Sequence, residues 1–460
     1  MKKAWEFEYE TMQNSQPVIL EEDEQGWNFA DKVEEVEDEL IKMKWHSNVP
    51  GSGATEHVII AAIQDTENMG YDISEAEKLM EEGLACSEKN DILGMARLGC
   101  RVFNRLSNAP KLPDHPYWSY KVYDSFDKIL EDVSLPIYSY DTSKQDYLES
   151  TYYGWMAQIC AGAVGTAVEG YTTENIRKVF GEINGYVRKP NTYNDDITYE
   201  FAFLKALERR RQNLTASDIA EEWVALVPMG WSAEDVAIKN IKLGIYPPES
   251  GYQNNPYREW IGAQMRGAVC GMVAPGNLQK AARYAYMDGT VSHHNNGILG
   301  EVFNALLVSL AYVKSDIREI IEEVIECIPK HSEYYEFIKT ALAYCKKYNE
   351  WEEAWKVCEP KFMKYNWIHA YPNAMAEVIA LWYGEGDFDK TMHISCMQGY
   401  DVDCNAAQIA TVLGIMHKKD TLKEHWTGEI GDVLHTYMRN YKTISINELA
   451  KLTVSLGSNN

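Results

Sequence analysis

The stretch Gly399-Tyr-Asp-Val-Asp-Cys-Asn-Ala-Ala-Gln-Ile-Ala-Thr-Val-Leu-Gly414 places two carboxylates, Asp401 and Asp403, at the mouth of a run of small and apolar residues. Asn405, Ala406, Ala407, Ile409, Ala410, Leu413 and Gly414 predict a tightly packed helix, with small residues where neighbours come close. Two acids entering such a helix are costly to desolvate unless a cation or hydrogen-bond donors compensate them. The helix dipole and its free amides supply part of that compensation, and a single acid suffices as a cap. The second acid of Asp-x-Asp, followed by Cys404, points to a site for a hard metal ion.

A second acidic cluster, Asn194-Asp195-Asp196-Ile-Thr198, precedes Tyr199, Phe201, Phe203, Leu204 and Leu207, another helix start. Upstream again, the uncharged small-residue run from Gly154 through Gly162 and Gly165 ends in Glu169 and Gly170. Three small-residue helix ends, each tipped with oxygen ligands, are what a shared dinuclear site requires. In this order the three motifs resemble the ADP-ribosylglycohydrolase family, of the dinitrogenase-reductase-activating glycohydrolase type. Further segments carry the likeness: Pro247 to Pro256 followed by Trp260-Ile-Gly-Ala-Gln-Met-Arg266, Ser292-His-His-Asn-Asn-Gly-Ile-Leu-Gly-Glu301, His369-Ala-Tyr-Pro-Asn373, and Gly384-Glu-Gly-Asp-Phe388. The match spans about residues 147–420.

The resemblance implies two divalent cations, Mg or Mn. One would lie among Asp195, Asp196 and Asp403, the other among Glu169, Asp401 and Asp403, with Asp403 bridging. Glu169 and Asp196 are the candidates for proton transfer. Asn194 and Cys404 occupy positions where the family often has a ligating Thr. An amide carbonyl can replace that oxygen, whereas a thiol suits Mg poorly. Cations and a helix start lower a thiol's pKa, so a thiolate is accessible at 404, and Mn is expected to support activity better than Mg. Gly262, Gln264 and Arg266 are expected near a diphosphate, His293 or His294 facing substrate, and Tyr400 and Trp260 against adenine. His369 and Asn373 are expected to hold a turn. The implied activity is metal-dependent hydrolysis of an N- or O-glycosidic bond in an ADP-ribosylated protein or a small ADP-ribose conjugate. Two alternatives stand beside it: a hydrolase of another nucleoside-type glycoside, and a catalytically silent ADP-ribose-binding or structural member.

The rest of the chain bounds these readings. A formal charge of −25 argues against nucleic acid as a partner, since a phosphate backbone needs a basic face. No apolar run is long enough to span a membrane, and the first ten residues lack an apolar signal core. Nine cysteines without Cys-x-x-Cys spacing suit reduced thiols, so a cytoplasmic location is expected. Residues 1–60 hold 14 acids against 5 bases. Helices are predicted over about 29–44, from about 56, from Ser74, and over about 91–106, with capping boxes at Ser74, Thr215 and Ser232. Asn108 to Pro116 reads as a linker. The expected fold is all-α: one compact orthogonal helical domain (147–460), an acidic helical extension (1–116), and a bridging segment (117–146).

Overall fold

The helix Val402–His417 carries the Asp-x-Asp motif on its first turn and is buried from Val402 to Ile415. Nothing along it is amphipathic, because every face meets another element. Its main neighbour is the equally buried helix Gln145–Gly165. The two meet along their glycines: a methyl on Gly165 would sit 2.3 Å from the Asp403 Cα, and one on Gly414 would sit 2.3 Å from the Tyr153 carbonyl oxygen. Small residues thus bring the two backbones together, and the same contact sets Asp403 beside the end of the first helix.

The computed structural model describes residues 1–143 and 145–458. Around the central pair pack Asp196–Arg210, Asn296–Ala311, Ala370–Gly384, Phe388–Gln398 and Ile446–Ser458. The last of these is tied in by Trp155 Nε1, which donates to Thr453 Oγ1 at 3.0 Å. Helices at the rim, such as Ile317–Glu326, bury only one stripe (Ile317, Ile320, Ile321, Val324, Ile325) and turn acids outward. The fold is all-α. Strand is confined, among the described residues, to two short antiparallel pairs, Ser47–Asn48 with Thr55–Glu56 and Val433–His435 with Thr443–Ser445.

The N-terminal helices Asn28–Trp45, Val58–Asn68, Met80–Glu88 and Ile92–Ser107 form a layer with its own apolar cluster. Trp45, Val58, Met95, Leu98 and Val102 lie in it, and it runs on into Ala233, Tyr257 and Trp260 of the main body. Burying a side chain such as Leu98 contributes about 1.5–3 kcal/mol. Polar bonds cross the same seam: Trp231 Nε1 donates to Glu56, and Tyr257 Oη donates to the Val58 carbonyl at 3.0 Å. The 108–116 run is pinned, with Asp72 N–H on the Pro110 carbonyl at 2.8 Å and Leu112 N–H on the Gly70 carbonyl at 2.9 Å.

Local signals fared unevenly. The Thr215 capping box forms, Thr215 Oγ1 accepting from Asp218 N–H while the Asp218 carboxylate takes Thr215 N–H. Those at Ser74 and Ser232 do not. Each serine lies inside its helix, after Ile73 and Trp231 respectively, and Asp72 takes the Ser74 N–H instead. The first 28 residues include a helix at Ala4–Asn14 that buries nothing.

Candidate metal centre

Three chain segments turn at one place. After Gly165 the first arm makes a tight turn, with Glu169 N–H on the Gly165 carbonyl at 3.1 Å and Gly170 N–H on the Tyr400 carbonyl at 2.8 Å. In the second, Asn194 Oδ1 accepts the Asp196 N–H at 2.7 Å, a side-chain-closed turn that leaves the carboxylates at the start of helix Asp196–Arg210. The third reverses at Gly399 and Tyr400, with φ of +73° and +65°. A methyl on Gly399 would lie 2.0 Å from the Tyr171 carbonyl oxygen, so only glycine fits that approach. Asp401 and Asp195 both stand at cap positions, and neither makes a cap hydrogen bond. Capping therefore does not explain them.

The acids feel one another. Burial and then Asp403 push the Asp195 carboxyl up to about 6. Glu169 and Asp401 are held well above the usual carboxylate range by burial and Asp403, and Asp196 by burial and Asp195. Ligand atoms of Asp401, Asp403 and Cys404 lie within 4.8 Å of one another, all three residues buried. Asp196 Oδ2 and Asp403 Oδ1 are buried with no hydrogen-bond partner. Leaving buried carboxylate oxygens unpaired costs more than a lost hydrogen bond, and a divalent cation removes that cost. The donor set is oxygen-rich, so these residues fit Mg or Mn.

Asn194 directs Nδ2 to Asp403 Oδ2 at 3.4 Å, so it orients the acid with the same amide whose oxygen closes the Asp196 turn. Cys404 Sγ donates to Asp196 Oδ1 at 3.4 Å and lies 3.9 Å from Met265 Sδ. Burial and the surrounding aspartates push its thiol well above the usual range.

The residues expected at substrate lie deeper. Arg266 is 1% exposed, its guanidinium engaged with Asp288, the Gly262 carbonyl, Glu234 and Ser292 Oγ, and stacked over Trp223. Gly262 packs against Glu234 and His293. Gln264 Nε2 donates to Glu377 at 3.0 Å, while its oxygen accepts from Tyr334 Oη. His293 Nδ1 pairs with Ser292 Oγ at 2.7 Å, Nε2 is buried with no hydrogen bond and lies 3.9 Å from Glu234 Oε1, and burial with Arg266 holds the ring well below its usual pKa. The Tyr400 ring packs edge-on against Trp355 and Phe362. Trp260 lies in the seam with the N-terminal layer. Arg266 is near enough to ease the Asp195 charge.

Sequence reasoning missed the group that ties the arms together. Glu200 is buried, accepts from Gln158 Nε2 of the first arm at 2.7 Å and from Gln408 Nε2 of the third at 3.4 Å, and is pushed up to about 8 by burial. Its spacing of four from Asp196 on one helix was the available signal. Asn373, expected only to hold a turn, accepts from Asp401 N–H at 3.1 Å and from Asn405 Nδ2 at 2.8 Å, and so fixes the first turn of the Asp-x-Asp helix.

Among known proteins, the family model described as ADP-ribosylglycohydrolase matches residues 143–456. A protein of Archaeoglobus fulgidus, described as uncharacterized, is 22% identical over 288 residues, covering 59% of this chain and 88% of its own. A solved structure titled ADP-ribosylglycohydrolase-related protein complex aligns with a TM-score of 0.48 at 14% identity, over 68% of this chain and 99% of its own. With three acidic arms in the family's order and a family match over most of its length, the chain belongs to the ADP-ribosylglycohydrolase family.

Proposed function

We propose that the protein is a metal-dependent hydrolase that cleaves the glycosidic bond of an ADP-ribosylated protein or a small ADP-ribose conjugate. The observation that carries this reading is the meeting of Glu169, Asp195, Asp196, Asp401 and Asp403 from three segments, with buried oxygens on Asp196 and Asp403 left unpaired. Asp195, Asp196, Asp401, Asp403 and Glu169 would hold two Mg or Mn ions, with Asp403 shared. Bound there, the ions would neutralise the cluster, fix ribose hydroxyls and lower the pKa of water.

The chain's own groups supply the proton handling. Glu169 keeps part of its surface accessible, whereas Asp196 is fully buried and takes the Cys404 thiol. Glu169 is thus the better placed to exchange a proton with an incoming hydroxyl or a departing group, and Asp196 to stay a ligand. Asn194 and Asn373 hold Asp403 and the Asp401 backbone in place, and Glu200 with Gln158 and Gln408 keeps the three arms in register. Arg266 eases the Asp195 charge and is proposed to act through that acid before any contact with a diphosphate.

The test is turnover of a panel of ADP-ribosyl conjugates (Arg-, Ser- and Asn-linked, and free nucleotide derivatives) with metal omitted or supplied. At least one conjugate is expected to be cleaved only with Mg or Mn. Asp403→Asn is expected to lose about 100-fold or more in activity and most bound Mn, with its circular dichroism unchanged. Unaltered Mn stoichiometry in Asp403→Asn would sink the ligand assignment. Metal binding without turnover of any conjugate would leave a silent binding protein.

A further inference from the structure

An arm precedes the body and stands in solvent. Residues 1–37 are exposed throughout apart from Glu6, and among the described residues none of their hydrogen bonds or ion pairs leaves the segment or its own helix. Yet the arm is rich in large apolar side chains. In helix Ala4–Asn14, Trp5, Tyr9 and Met12 stand at i, i+4 and i+7 on one exposed face. In helix Asn28–Trp45, Phe29, Val33 and Val36 continue the same spacing. Apolar stripes of this size left in water mark a surface for another protein. The stripes lie in a strongly acidic setting, since residues 1–40 hold 13 acids and 3 bases. Among the described residues no carboxylate from Glu21 to Asp38 is in an ion pair.

The complementary surface lies on the same chain. Helix Ile92–Ser107 turns Arg97, Arg101 and Arg105 outward at i, i+4 and i+8, beside exposed Leu93 and Cys100. Among the described residues none of these arginines is within ion-pair distance of a carboxylate, although acids outnumber bases 69 to 44 in the chain. Three unpaired arginines in line, in an otherwise acidic molecule, form the basic edge that an acidic amphipathic helix needs.

We propose that the N-terminal arm docks on the Arg97/Arg101/Arg105 face of a second copy of this chain, in a reciprocal dimer. Two features favour a second copy over the arm's own body. The exposed first ten residues of helix Asn28–Trp45 carry the arm about 15 Å clear of the layer that holds helix Ile92–Ser107. The thirteen residues between the two arm helices span up to about 45 Å, enough to reach a neighbour. Exchange in both directions buries the same two patches on each subunit, which closes the assembly at two copies. The proposal is independent of the catalytic reading.

Sedimentation velocity of the full chain, at low and high salt, tests it. A dimer is expected in about 50 mM salt, weakened about tenfold or more in about 0.5 M salt. Arg97→Glu/Arg101→Glu/Arg105→Glu and the arm variant Glu21→Lys/Glu22→Lys/Glu24→Lys are each expected to give monomers with unchanged circular dichroism. Combining the two sets is expected to restore the dimer. A wild type that is monomeric at low salt would overturn the proposal, as would a dimer indifferent to the arginine reversal. So would a monomer whose arm is shielded from protease only while the arginines are intact, because that result means docking within one chain.

Discussion

Cys404 is a soft donor set among hard ones. Its thiol bonds Asp196 and is buried beside Met265, so in the metal-free protein it is a neutral donor that steadies one aspartate. Threonine there would make the same bond and offer a hard oxygen as well. Cys404→Thr is therefore expected to shift the Mn-to-Mg ratio of activity several-fold toward Mg, with a matching shift in competitive binding of the two ions. Equal ratios in wild type and variant would leave Cys404 as filling alone. The acids themselves were legible because Asp-x-Asp and Asn-Asp-Asp stand in short, ordered motifs. Glu200 shares a helix with Asp196 at a spacing of four, but its meeting with Gln158 and Gln408 was not legible, since it depends on how three helices cross.

Among elements, the N-terminal layer reaches the metal turn through side chains. Asp65, on helix Val58–Asn68, is fully buried, and its carboxyl lies 3.3 Å from His369 Nε2. Burial pushes His369 down to about 3, and its Nδ1 takes the Tyr371 N–H, so the proton sits on Nε2, facing Asp65. Asn373 Nδ2 donates to the His369 carbonyl at 2.9 Å while its oxygen holds the Asp401 N–H. We expect Asp65→Ala to weaken Mn binding about tenfold, the cost typical of losing an outer support of a metal ligand. Leu98→Ala, in the same layer but off this path, is the control. It should lose about 2–5 kcal/mol of stability with Mn affinity unchanged. Equal loss of affinity in both variants would reduce the connection to packing. We retain a boundary near residue 116 as a proposal, with this layer as a support of the site. The helices were legible wherever an apolar stripe faces one neighbour, as over Ile317–Glu326. Their partners were not, because Trp45 and Trp260 join one cluster from more than 200 residues apart, and periodicity records only that a face is buried.

For the molecule as a whole, the acid excess extends inward. Burial, the first cause in each case, pushes Glu234 and Glu333 up to about 7 and Glu200 and Glu377 up to about 8. In the unfolded chain these groups titrate near about 4.3, so between that pH and about 8 the folded protein holds more protons than the unfolded one. Stability from these groups is fully present below the unfolded pKa and is lost as pH rises through the folded values. The melting midpoint is therefore expected to fall from about pH 5.5 to about pH 8.5. Surface repulsion in a chain of charge −25 acts in the same direction, but salt screens it and leaves buried groups almost untouched. The fall should persist in about 0.5 M salt. Glu377 isolates the cause: Oε1 accepts from Gln264 and Asn304 while Oε2 has no partner. Glu377→Gln keeps an accepting oxygen and removes the titration. It is expected to match wild type near pH 6 and to exceed it near pH 8.5, flattening the profile. A Glu377→Gln profile parallel to wild type across that range would show that this acid is not a source of the alkaline loss.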